Sequence, residues 1–137
     1  MAYYRLIGDD TDAEVLSFPV TLNESVNSGD VLRTYIDGSS GLAERASSNG
    51  TSVIGIAVSS GSAGATIDII QFGLAVVNFS ETLSDSDIGK PVYLSSTPGE
   101  ATLSPPSSSG SSLIRLGVLS STDRTCLVSP QTIIRYS

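Results

Sequence analysis

Two stretches of this chain repeat one another, and that repeat constrains the fold more than any other feature. Residues 29–60 read GDVLRTYIDGSSGLAERASSNGTSVIGIAVSS, and residues 89–121 read GKPVYLSSTPGEATLSPPSSSGSSLIRLGVLSS. Gly29 aligns with Gly89, Val31 and Leu32 fall near Val92 and Leu94, Gly50 aligns with Gly110, and Ile54-Gly55-Ile56 aligns with Leu116-Gly117-Val118. The period is about 60 residues, and each copy runs on into a further apolar segment, at 67–70 and 126–128. Duplication of one small β module is the simplest origin of that order. The matched glycines have a physical use. One at the head of a strand permits a tight turn, and one inside an apolar strand permits a bulge or a close backbone approach.

Apolar residues alternate with period two in short runs bounded by Gly, Ser, Asn and Pro, and helical spacing is nowhere sustained. The runs at 15–22, 31–36, 53–58, 66–72, 74–79, 91–94, 113–119 and 125–128 are the expected strands. Asp37-Gly38, Asn49-Gly50 and Pro98-Gly99 supply turns. The expectation is an all-β chain: a small β-barrel or β-sandwich, tulip-like, built from two related units. Residues 1–18 form an N-terminal arm or edge strand, 19–80 the first unit and 81–137 the second, packed as one body. The Ser-rich stretch 105–112 reads as a solvated loop matching 45–52, held extended by Pro105 and Pro106, with an interdomain linker as the rival reading.

Composition narrows the function. With 39% hydrophobic and 15% charged residues the chain has enough apolar material to fold. Its net charge is −7, and six arginines and the lone Lys90 are scattered, so no cation cluster is available to displace counterions from phosphates. Nucleic acid is not an expected partner. No apolar run is long enough to span a bilayer, and residues 1–10 lack the apolar core of a signal peptide, so no membrane contact and synthesis in the cytoplasm are expected. Cys126, the single cysteine, sits in an apolar run and reads as a small buried hydrophobe.

Histidine is absent, which removes Ser-His-Asp and Cys-His nucleophilic sites and Cys/His zinc sites. No phosphate-cradling glycine motif occurs. The acidic clusters Asp9-Asp10, Asp12, Glu14 and Asp85, Asp87 lack the Gly and distal Glu of a calcium loop and read as solvated faces. No cofactor, metal or catalytic residue is assigned, and the chain is not expected to be an enzyme.

The stretches SGDVLRTYIDGSSGLAERA and SVIGIAVSSGSAGATIDIIQFGLAVV resemble the small capsid decoration, or cement, proteins of tailed bacteriophages. The segment IGKPVYLSSTPGEATLSPPSSSGSSLIRLGVLSSTDRTCLVSP resembles β modules of phage head and tail proteins, so the likeness covers about residues 25–130. What the resemblance implies is a homotrimeric virion protein on the capsid exterior that bridges neighbouring major capsid subunits. A tail or spike-base module and a carbohydrate-binding module are the alternatives, with a carboxylate-based enzyme third. Tyr3, Tyr4, Arg5 and Leu6, outside the repeat, are the candidate capsid contacts, because aromatics and Arg are favoured interface anchors. Packing of Tyr3 and Tyr4 on their own domain is the equal alternative.

Overall fold

The computed structural model describes residues 3–4, 16–34, 42–48, 53–107 and 111–135, with side chains described for 16–34, 42–48, 53–107 and 111–130. Gly50, Gly110 and the turns expected at Asp37-Gly38 and Asn49-Gly50 lie outside the described residues. The chain is all-β: β1 (Tyr3–Tyr4), β2 (Leu16–Thr21), β3 (Val31–Thr34), β4 (Ala43–Arg45), β5 (Val53–Ala57), β6 (Thr66–Val76), β7 (Pro91–Leu94), β8 (Ala101–Thr102), β9 (Ser112–Leu119) and β10 (Thr125–Arg135), plus one 3-10 turn at Asp85–Asp87. They form one curled antiparallel sheet in the order β4-β3-β5-β6-β10-β9-β7-β8; β2 adds to β6, and β1 to β2.

That order is a palindrome about the β6–β10 seam, in which β3, β4, β5 and β6 correspond to β7, β8, β9 and β10. Register matches residue by residue. Val31 faces Ile56 and Leu32 faces Gly55, and after a slip Arg33 faces Val53. Likewise Pro91 faces Val118, Val92 faces Gly117, and after the same slip Tyr93 faces Arg115. The slip leaves one extra residue on the second strand, Ile54 or Leu116, so both units carry a bulge beside the strand glycine. Sequence alignment had set Val31 and Leu32 beside Val92 and Leu94; the pairing sets them against Pro91 and Val92.

The turns into the two units match as well. Gly29 and Gly89 both have φ of 91°, a left-handed conformation that glycine adopts without penalty. Gly29 N donates to Ala57 O at 2.9 Å and Ala57 N to Asp30 O at 2.9 Å; Gly89 N donates to Leu119 O at 2.8 Å and Leu119 N to Lys90 O at 3.0 Å. The correspondence reaches further towards the N-terminus than the sequence suggests. Leu22 and Phe79 make the same parallel bridge, to Ala43 and Ala101. Strand β2 lies against the first half of β6 as the second half of β6 lies against β10. Strand β6 therefore ends one unit and begins the next. This is why the runs 66–72 and 74–79, read as two strands, form one continuous strand to Val76. The two-to-three-residue strands β4 and β8 are too short to leave a periodic signal.

Two cores result. The larger joins Val31, Val53 and Ile56 of the first unit to Val92, Leu94, Ile114, Leu116, Leu119, Cys126 and Val128 of the second. The smaller lies on the other face of the first unit, where Leu32, Ala57 and Ile69 pack under Leu22 and Val26. The sheet curls so far that opposite faces of its two halves meet. Complete burial of one such aliphatic side chain contributes about 1.5–3 kcal/mol, so the shared core binds the units into one body.

Candidate interaction surface

The ionisable and amide groups at the junction of the units are engaged in holding it. Asp30, buried, accepts from Asn27 N at 2.8 Å and from Asn78 Nδ2 at 2.8 Å. Asn78 Nδ2 also donates to Ser28 O at 3.0 Å, while its Oδ1 accepts from Arg124 Nη1 at 3.1 Å. The β7–β8 turn completes the join: Val31 N donates to Gly99 O at 2.9 Å and Gly99 N to Ala46 O at 2.8 Å.

Glu24 and Glu81 occupy equivalent places and do equivalent work. Glu24 accepts the backbone N–H of Arg45 at 2.8 Å, and Glu81 accepts that of Leu103 at 3.2 Å. Burial, the largest single influence, pushes the Glu24 carboxyl up, but the Arg45 side chain and backbone N–H together outweigh it and hold the group below its ordinary value. The Asp87 carboxyl is held low by the Lys90 ammonium and the Ser84 N–H. Among the described residues no three metal-ligating side chains converge.

The outer face of the seam is different in character. Phe72, Leu74 and Val76 alternate outward on β6 at 44%, 45% and 48% exposure, and Leu127 of β10 stands directly opposite Leu74 at 54%. Inward positions on the same run hold the small Gly73 and Ala75. Beside the stripe is an open groove of about 420 Å³ lined by Ser28, Val58, Ile70, Leu74, Val76 and Thr125, all uncharged. Contiguous apolar surface of this kind is what association faces are made of.

Of the four expected contact residues, Tyr3 and Tyr4 are placed by their backbone as β1, Tyr3 against Ser17 and Tyr4 against Leu16. Leu16 in turn faces Phe72, which sets β1 two strands from the stripe. Arg5 and Leu6 lie outside the described residues. The stripe itself escaped sequence reasoning, since the run FGLAVV is apolar at every position and no polar residue in it marks an exposed face. The available signal was size: bulky residues at 72, 74 and 76, small ones between.

No helix among the described residues is long and apolar enough to cross a membrane. No protein-family model and no curated protein matches the chain.

Proposed function

We propose that this protein is a structural component of a tailed-phage virion, a homotrimer on the capsid exterior that bridges neighbouring major capsid subunits. One observation carries the reading: the residues of the resemblance are those the fold uses twice. Gly29 and Gly89 make the same turn, and Ile54-Gly55-Ile56 and Leu116-Gly117-Val118 make the same bulge at the same register. A duplicated β body held by a shared core and by the Asp30–Asn78–Arg124 junction, with an apolar stripe left outside, suits lattice binding. Tyr3, Tyr4, Arg5 and Leu6 remain the proposed shell contacts; of these, the backbone of Tyr3 and Tyr4 pairs with β2, the strand that separates them from the stripe on β6.

Binding to an assembled shell but not to its dissociated parts stabilises the shell by mass action, and weak contacts repeated over a lattice sum to a large effect. The test is to omit the protein and follow DNA retention on heating, alongside its copy number per particle. Hundreds of copies and early genome loss without it are expected. A handful of copies would move it to the tail or spike base, and unchanged DNA retention would remove the cement role.

A further inference from the structure

The second unit is docked on the outer face of the first through backbone groups. Val31 N donates to Gly99 O at 2.9 Å, Gly99 N to Ala46 O at 2.8 Å, and Ser48 N to Ser95 O at 3.0 Å. Between these bonds Val31, Ala46, Val53 and Ile56 are buried in the shared core. Strand register makes Pro91, Arg115 and Val118 the counterparts of Val31, Val53 and Ile56 on the second unit. Counting on from Arg45 and Leu103, which hold equivalent places, Ser104 stands for Ala46 and Pro106 for Ser48.

These counterparts do not reproduce the docking face. Pro91 and Pro106 have no N–H to donate. The carbonyl of Ser104, in the place where Ala46 O accepts from Gly99, accepts from Thr102 Oγ1 at 3.3 Å, and Ser104 N donates to the same hydroxyl at 3.0 Å. Arg115, half-buried, replaces the buried Val53, so a sheet laid there would have to desolvate a guanidinium. Val118 and Leu127 leave this face partly apolar, but the groups that set the register of the internal contact are gone.

The opposite end of the pair is altered in the same sense. The second unit lays Val77, Leu94, Leu116 and Val128 into the shared core. Their counterparts on the first unit are Val20, Thr34, Ile54 and Gln71; all four are exposed or half-buried, and two are polar. The contact between units joins an outer face to an inner one, which is the heterologous kind that extends indefinitely unless its terminal faces differ from the internal ones.

We infer that the two units stack once and in a fixed order because both outward faces of the pair are capped, the second unit's by Pro91, Ser104, Pro106 and Arg115 and the first unit's by Thr34 and Gln71. A further unit of the same kind is refused at either end. The inference concerns these two faces alone and does not rest on the capsid reading.

Two full-length variants test it. Pro91→Val with Pro106→Ser and Arg115→Val reopens the outer face of the second unit, and Thr34→Leu with Gln71→Val reopens the inner face of the first. Each alone keeps one cap, so each should sediment with the mass of the wild type. Mixed in equal amounts, they should form a new species of at least about twice that mass. If either multiple variant does not melt cooperatively, the single changes Pro91→Val and Thr34→Leu take their place, with a weaker shift that still requires the mixture. Folded variants whose mixture keeps the wild-type mass overturn the inference. Association of either variant alone overturns it too, because the remaining cap would then not stop addition.

Discussion

Gly117 lies so close to the neighbouring strand that a Cβ on it would stand 1.9 Å from the carbonyl oxygen of Leu127. Gly55, its counterpart, would bring a Cβ to 2.7 Å from the carbonyl oxygen of Ile70, the residue equivalent to Leu127. Both obstacles are backbone, which cannot swing aside as a side chain can. Gly117→Ala should therefore destabilise more than Gly55→Ala, the two falling within about 1–3 kcal/mol. Chemical denaturation of both, with Ser107→Ala in the exposed loop as reference, checks the order.

A second pair tests whether the units are equivalent in energy as well as in register. Glu24 and Glu81 each satisfy a backbone N–H, of Arg45 and of Leu103, that would otherwise go without this partner. Replacing either by Ala should cost about 1 kcal/mol. Glu24 adds a pH signature. Its carboxyl is held below the ordinary 4.5, so its contribution is present above that value and lost as the pH falls through the lowered folded value. Glu24→Gln should flatten the acid limb of stability against pH over that range, which thermal melts in steps from neutral to acid pH would read.

The duplication was legible because it rests on glycines. Gly29 and Gly89 serve turns at positive φ, and Gly55 and Gly117 leave room for a neighbouring backbone that a Cβ would strike. The extent of the unit was not legible, because β2 and the second half of β6 share a pairing role but hardly a residue: Ser17 stands where Leu74 does and Phe18 where Ala75 does. Backbone pairing tolerates such exchange, and a sequence comparison sees only side chains. The exposed stripe was hidden for a related reason. Leu127 and Cys126 are adjacent in one apolar run, yet Cys126 is wholly buried and Leu127 is 54% exposed. Alternation tells the two faces apart but not which of them is covered.

Ser48 is wholly buried, and its hydroxyl has no hydrogen-bond partner among the described residues, although its backbone is well used: N donates to Ser95 O at 3.0 Å and O accepts from Ser112 N at 2.7 Å. Desolvating an unpaired hydroxyl is unfavourable by about 1–3 kcal/mol. Ser48→Ala keeps the backbone bonds and removes the burden, so it should raise the unfolding midpoint by up to about 1 kcal/mol equivalent. A destabilised variant would mean that the hydroxyl is satisfied, for instance by internal water.

Cys126 offers a probe of the shared core without disturbing it. The thiol is wholly buried, at the strand position that faces Ala75 and Leu119, and burial pushes it from 9.0 up to about 12. In the native protein at pH 8 the thiolate is thus suppressed and the sulfur screened, so a thiol-reactive dye should label only molecules whose core has opened. Labelling should be slow in buffer, rise steeply across the denaturant transition, and become faster in Gly117→Ala and slower in Ser48→Ala. The sign at high pH follows from the raised value. Below about pH 9 the group is protonated in both states and adds no pH dependence. Above it the unfolded chain loses a proton that the folded chain keeps, so stability falls with a slope approaching about 1.4 kcal/mol per pH unit. Cys126→Ala should remove that component of the alkaline limb while costing stability at neutral pH through the lost sulfur packing. Rapid labelling of the native wild type at pH 8 would place the thiol at the surface and break the shared core where β6, β9 and β10 meet.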